Sequence, residues 1–289
     1  PLYCLLGHIF TWLPFGEPAW RVGLMSSFFA AGVVYLLAWT LLYLTRNHMA
    51  AFFGALIFAC SREFWAQALT ADVYPLNLFL MAACFLILLR WSDTRRNRTL
   101  YLFAFVFGHG FTMHNTFLLL VPPCVFFVLV RDHQDRAERP GGWSTPAKTY
   151  ILCCLIAAST LAVYLYLPIR SAANPPLDWG NPETLETVYR HIRRIQYDFM
   201  FSQYPRSVGR FLGQLAFYGR AWWGSFALGA GLLGLAGLCL LFRRRPAFVV
   251  LLVSSVILVI AGFAFWQNFE HTREWLWVMR VFALPAYYV

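Results

Sequence analysis

Lysine is almost absent: of 23 basic residues only Lys148 is not an arginine, against 13 acidic residues. Charged side chains make up 12% of the 289 residues, where a typical soluble domain has roughly a quarter. That scarcity excludes an ordinary soluble globular protein. The formal excess of +10 would point to nucleic acid in a soluble chain. Here the arginines fall in short runs between long apolar stretches, the pattern that a bilayer sorts, and no nucleic-acid partner is expected. The 7 cysteines contain no C-x-x-C pair, so they support neither a zinc site nor redox chemistry and read as small apolar side chains. A P-loop, a dinucleotide-binding glycine pattern and a nucleophile elbow are all missing. The sequence shows no internal repeat. It opens on Pro1 without a methionine and stops at Val289 inside an apolar run, which reads as a fragment of a longer polytopic protein.

What is present is apolar: 60% of the residues are hydrophobic. A helical span needs about 20 such residues. Val22 to Leu44, Val73 to Leu89, Thr149 to Leu167, Trp222 to Phe242 and Ala247 to Trp266 supply them. Leu100 to Val130 is too long for one span. It is interrupted by Gly108-His109-Gly110 and Met113-His114-Asn115-Thr116, which predicts two short helices joined by a tight polar turn. Met49 to Cys60 is taken as a further short helix, because counting it puts four arginine-rich loops on one side. Those loops carry Arg46, then Arg90, Arg95, Arg96 and Arg98, then Arg131, Arg136, Arg139 and Lys148, then Arg243 to Arg245, and are the expected cytoplasmic face. Most carboxylates fall on the other face: Glu17, Glu63, Asp72, Asp178, Glu183, Glu186, Asp198, Glu270 and Glu274.

The expected organisation is therefore an all-α polytopic membrane protein in three parts: transmembrane helices over 1–168, an exoplasmic loop with a helix over 169–221, and further transmembrane helices over 222–289. Within the loop, Asn181-Pro182-Glu183 has the composition of a helix start. That helix is expected to reach Met200 and to share one face among Arg190, Arg193, Arg194 and Tyr197.

Ionisable groups at a membrane boundary are costly without a role. Asp72 stands where an exoplasmic turn enters a span; it reads either as a helix cap or as a carboxylate that positions a substrate hydroxyl or a metal. His114 sits in the tight exoplasmic turn, as a structural hydrogen-bonding group or as part of a site, and with His109 alone it makes poor evidence for a metal. Arg170 follows a span exit. It is an interfacial anchor or a phosphate clamp, since guanidinium binds phosphate oxygens in bidentate fashion. Arg190, Arg193 and Arg194 pose the same choice, with a lipid phosphate as the natural anion. Trp179 could stack on a sugar ring or anchor at the interface.

Several runs carry a resemblance: Ala19-Trp20-Arg21-Val22-Gly23-Leu24-Met25-Ser26, Phe64-Trp65-Ala66-Gln67 through Asp72-Val73-Tyr74-Pro75-Leu76-Asn77, Thr112-Met113-His114-Asn115-Thr116, and above all Leu167-Pro168-Ile169-Arg170 to Asp178-Trp179-Gly180. Together they resemble glycosyltransferase family 117, a branch of the GT-C superfamily of polytopic transferases. The resemblance implies a GT-C-like helical bundle. It implies transfer of a sugar, mannose, from a polyprenyl or dolichyl phosphate to an exoplasmic acceptor such as a protein Ser/Thr or a glycolipid. It also implies an acidic Asp-Ser-Gly-Glu motif upstream of Pro1 that supplies the catalytic base, which leaves this fragment inactive by itself.

On that reading Asp72 and His114 are the catalytic-site residues within the chain. Arg170, Asp178, Trp179, Arg190, Arg193 and Arg194 bind substrate. No metal ligand is assigned, although a divalent cation is compatible with the chemistry. Asp72 stands where the family has Glu, and Asn115 replaces a frequent His. Arginine-for-lysine usage and compact loops favour a bacterial inner membrane, with the endoplasmic reticulum as the eukaryotic equivalent. The competing classes are a transporter or lipid flippase, which would bury charge within the spans, and a noncatalytic membrane scaffold.

Overall fold

The computed structural model describes residues 1–138, 145–195, 204–226 and 229–289. Among these residues every regular element is helical. In chain order they are α1 (Leu2–Phe10), α2 (Pro18–Thr45), α3 (His48–Ala59), α4 (Arg62–Ala68), α5 (Tyr74–Thr94), α6 (Asn97–Met113), α7 (Thr116–Glu138), α8 (Ala147–Thr160), a 3₁₀ turn (Leu161–Leu165) and α9 (Tyr166–Ser171). They continue with α10 (Leu185–Ile192), α11 (Val208–Ser225), α12 (Ala230–Arg244), α13 (Pro246–Gln267), α14 (Arg273–Met279), a second 3₁₀ turn (Arg280–Ala283) and α15 (Leu284–Tyr288).

Five stretches are long and apolar enough to cross a bilayer: α2, α5, α7 to Ala137, α8 continued through α9, and α13. The bent pairs α3 with α4 and α11 with α12 raise this to seven if each pair is one span. The chain is thus an all-α integral membrane protein, as its composition demands. Helix boundaries follow local chemistry. The Asn47 side chain accepts the Met49 and Ala50 N–H groups at 2.9 and 3.1 Å and starts α3. Prolines stand in the first turn of α2, α5 and α13, where a missing N–H costs nothing. Arg46 and Arg95 end α2 and α5 in the left-handed conformation, at φ 55° and 54°.

The interior is built around α5, whose Leu76, Met81, Phe85, Leu88, Leu89 and Trp91 are all buried. It packs between α2 and α6, while α13 packs on α7 and α8 on α6. Outward-facing Phe28, Phe52, Leu118, Ile151, Leu155 and Leu233 are exposed, which is the apolar shell that acyl chains cover.

Contacts between loops bring several of the arginine-rich segments together at one end of the bundle. The Tyr43 hydroxyl donates to Asp93 at 2.8 Å and Arg245 pairs with the same carboxylate. Asp132, 3% exposed, receives Arg95 at 3.0 Å, Arg136 at 2.8 Å and the Thr145 N–H at 2.9 Å. All of these residues flank loops expected on the cytoplasmic side.

Three local expectations are corrected. The first concerns Gly108-His109-Gly110, which does not interrupt a helix, since α6 runs through it to Met113 and only His114 and Asn115 form the turn. The glycines serve packing instead: a Cβ on Gly108 would lie 2.7 Å from the Ala157 carbonyl oxygen and one on Gly110 would enter the Phe117 ring. In the exoplasmic loop, the helix starts at Leu185, not at Pro182, because Thr184 and Thr187 form the reciprocal cap. It ends at Ile192; Tyr197, Asp198 and Met200 lie outside the described residues. Finally, the expected span from Trp222 to Phe242 is divided between α11 and α12.

Replacing Gly108 by Ala should therefore lower thermal stability in detergent by about 1–3 kcal/mol through overpacking of α6 against α8. Gly234→Ala in α12, where a Cβ meets nothing within 4 Å, should leave stability unchanged or raised by up to about 1 kcal/mol. Equal effects at the two positions would refute this packing role.

Candidate active site at the exoplasmic end

Asp72 lies between α4 and α5, half-buried. Its backbone is tied to α2: the Ser26 hydroxyl donates to the Asp72 carbonyl and the Asp72 N–H points back to the same hydroxyl, each at 3.2 Å. Its carboxylate accepts the adjacent Val73 N–H at 2.6 Å, whereas α5 begins at Tyr74 with Val73 as the capping residue and no side-chain cap. Asp72 is thus not a regular helix cap, and it has no ion-pair partner among the described residues. Burial pushes its carboxyl above the ordinary value, opposed by the Val73 hydrogen bond.

His114 ends α6 in an extended conformation and is 5% exposed. Its ring lies 6.0 Å from Tyr74, 5.8 Å from Phe282 and 6.1 Å from Phe263, centre to centre. The Thr116 N–H donates to Nδ1 at 3.2 Å. Burial first and the Arg194 charge second lower the His114 pKa to about 3, so the ring is neutral at physiological pH.

Arg194 follows α10 with φ 55°. The three loop arginines differ in exposure, Arg190 and Arg193 being exposed and Arg194 half-buried. Arg190 pairs with Glu186 at 3.5 Å on the exposed side of α10, and Arg193 is exposed. Arg194 turns inward, where its charge acts on His114, Tyr74 and Tyr164 and on the Pro1 amine. The charge of Asp72 acts on Tyr74 and Tyr3. Asp72, His114 and Arg194 therefore converge, and three tyrosines join them that the sequence reading did not single out. The available signal for Tyr74 was its place two residues after Asp72. For Tyr3 and Tyr164 only the fold brings them in, the latter held by its hydroxyl on the Phe111 carbonyl at 2.8 Å.

Arg170 occupies a neighbouring position. With Tyr166 it forms one wall of a groove of about 610 Å³, whose other wall is Tyr3, Cys4, Gly7, His8 and Thr11 of α1 with Val22 of α2. Its guanidinium has no hydrogen bond or ion pair among the described residues. Asp178 instead holds the loop together: the Ser171 hydroxyl lies 2.5 Å from its carboxylate and 3.1 Å from the Asn181 amide oxygen. Trp179 is exposed. No three His, Cys, Asp or Glu side chains converge on a metal-sized point among the described residues. The end of the bundle is closed by Arg280 on Glu63 at 3.3 Å and by the Tyr204 hydroxyl on Glu270 at 2.9 Å.

The half-buried Asp72 carboxylate, Arg194 and the unpaired Arg170 on an adjoining groove are the candidate groups for an anionic ligand on this all-α membrane bundle. Residues 1–137 match the family model described as the protein O-mannosyl-transferase TMEM260 N-terminal domain, which bears out the resemblance read from the sequence. The Mus musculus protein O-mannosyl-transferase TMEM260 is 26% identical over 218 residues, covering 72% of this chain and 29% of its own length. The Dictyostelium discoideum protein of that name is 23% identical over 214 residues, covering 68% of this chain and 25% of its own. The chain thus spans less than a third of the curated relatives it matches. No solved structure matches it.

The raised carboxyl of Asp72 has a consequence for stability. An acid whose folded-state pKa exceeds its unfolded value adds stability below the unfolded pKa and loses it as pH rises through the folded one. Asp72→Asn should therefore raise the thermal midpoint at pH 7, with the gain vanishing below the ordinary carboxylate value of about 3.9. A lower midpoint at pH 7 would show that the ionised carboxylate stabilises the fold.

Proposed function

We propose that this chain belongs to a membrane glycosyltransferase that moves a sugar, mannose, from a polyprenyl or dolichyl phosphate to an exoplasmic protein Ser/Thr hydroxyl. The observation that carries this reading is the unpaired Arg170 on an open groove, beside a basin that gathers Asp72, His114 and Arg194. The names of the relatives supply the reaction class; a glycolipid acceptor would suit the same basin. The lipid membrane is the donor's source, and a bacterial inner membrane or, in a eukaryotic host, the endoplasmic reticulum is the setting.

In this mechanism the acceptor oxygen attacks the anomeric carbon and the bond from that carbon to the phosphate oxygen breaks. The acceptor proton passes to a carboxylate, and the electron pair leaves on the lipid phosphate. Positioned acids and bases contribute 10²–10⁴-fold to such steps, and cations aimed at the departing phosphate contribute comparably. The base belongs to the acidic motif that the family resemblance places upstream of Pro1. Asp72 positions the acceptor hydroxyl. Arg170 and Arg194 take the phosphate as it leaves. Arg190 and Arg193 attract anionic lipid from the loop surface, while Asp178 and Trp179 shape the loop that carries them. The three parts 1–168, 169–221 and 222–289 then act as bundle, covering loop and closing helices.

Membranes containing the full-length protein and supplied with radiolabelled polyprenyl-phosphate mannose should label acceptor protein. Asp72→Asn and Arg170→Ala should each reduce the rate by about 100-fold. Lipid-independent labelling, or full activity in the double variant, would overturn the assignment.

A further inference from the structure

His114 is fixed by a short chain of hydrogen bonds that the proposed reaction leaves unexplained. Asn77 of α5 donates through Nδ2 to the Thr116 hydroxyl oxygen at 3.3 Å. That oxygen lies 3.1 Å from His114 Nδ1, and the Thr116 backbone N–H donates to the same nitrogen at 3.2 Å. A backbone N–H can only donate, so Nδ1 presents its lone pair and the single proton of the neutral ring resides on Nε2. Nε2 has no partner among the described residues, and it is not one of the fully enclosed polar atoms, although His114 as a whole is only 5% exposed. The accessible edge of the buried ring is thus an N–H donor. Beside a cation, such a donor suits a ligand that supplies negative oxygen.

The groups facing the ring support this from every side. The cation is Arg194, and Tyr74 on α5 is the other titratable group in ring contact. Phe263 of α13 and Phe282 of the second 3₁₀ turn stack on each other at 3.8 Å and wall off the rest. A base in this place would be protonated only at the cost of burying the new charge and, second, of placing two cations near each other, which is why its pKa falls to about 3. A fixed neutral donor meets no such cost.

We propose that His114 binds a phosphate oxygen through its neutral Nε2–H, alongside the Arg194 guanidinium, and that Thr116 and Asn77 are positioning residues that hold the ring in this tautomer. The inference rests on the proposed function for the source of the phosphate, the lipid carrier. The chemistry shared with free phosphate is an anionic oxygen accepting one N–H bond and one charged bond.

The test is nitrogen NMR of the full-length protein in lipid nanodiscs, labelled at histidine. His114 should show a protonated Nε2 and a bare Nδ1 from pH 5 to 8, with no titration in that range, and its Nε2 signal should move when a sugar-free polyisoprenyl phosphate is added. Thr116→Val should mix the tautomers and weaken binding of that lipid by about fivefold or more, and Thr116→Ser should restore both. His114→Gln, which keeps an N–H donor, should bind within about threefold of the parent, while His114→Leu should lose about tenfold or more. A proton on Nδ1, a titration near the ordinary histidine value, or unchanged binding in a folded His114→Leu protein would overturn the proposal. A shift with inorganic phosphate but not with the lipid would uphold the donor role and count against the lipid-carrier reading. If neither probe moves the signal in a protein that still transfers sugar, the His114 inference falls and the transferase reading stands.

Discussion

Charge in this chain is admissible only at the ends of helices, and α5 is the element on which that constraint acts most strongly. It is buried chiefly by α2 and α6, with smaller contacts to α4, α7 and α15, so its middle consists of Leu, Ile, Met, Phe and Ala with no ionisable group but Cys84. Its ends carry the polar residues. Asp93 and Arg95 lie at one, where they meet Tyr43, Arg245 and Asp132; Asp72, Tyr74 and Asn77 lie at the other. A helix of 21 residues, at about 1.5 Å per residue, separates these two polar layers by about the thickness of a bilayer core. The exoplasmic site is held in place because the opposite end of the same helix is held by a buried charge network, whose loss of one partner would leave another charge unpaired.

The fold class was legible because bilayer constraints write themselves into composition. Arginine runs gave the sidedness, and the structure joins Arg245 to Asp93 and Arg95 to Asp132 and Asp135 across loops expected on one side. The glycines at 108 and 110 misled for a physical reason. Glycine marks a turn or a close approach with equal force, and here the approach is made by Ala157 and Phe117, partners that no local window contains. Asn181-Pro182 misled similarly: Asn181 adopts φ 40° and works in the turn before the helix, while Thr184 does the capping.

Of the site, the parts that sequence could find were those whose chemistry is costly in a membrane: Asp72, His114 and the loop arginines. It could not rank the arginines, because their burial depends on the fold. Helical spacing would place Arg190, Arg193 and Arg194 together, but Arg190 pairs with Glu186, Arg193 is exposed and Arg194 is half-buried. Asp178, expected from the sequence to bind substrate, accepts the Ser171 hydroxyl within its own loop.

Asp72 and Arg194 both act electrostatically on Tyr74, yet they form no ion pair with each other, and Arg194 is not among the causes that shift Asp72. A fold selected only for stability would bring two such charges into contact, since a half-buried carboxylate without a cation carries a desolvation penalty that an ion pair offsets. Here burial first and the Arg194 charge second lower the basicity of the neighbouring histidine, and the Asp72 carboxylate accepts only the Val73 N–H among the described residues. In the proposed reaction the two charges would serve opposite ends of a phosphate-linked sugar, Arg194 the anionic end and Asp72 the hydroxyl-bearing one. Binding of that group would recover the cost in stability, in contrast to the cluster around Asp132, whose charges are paired within the fold.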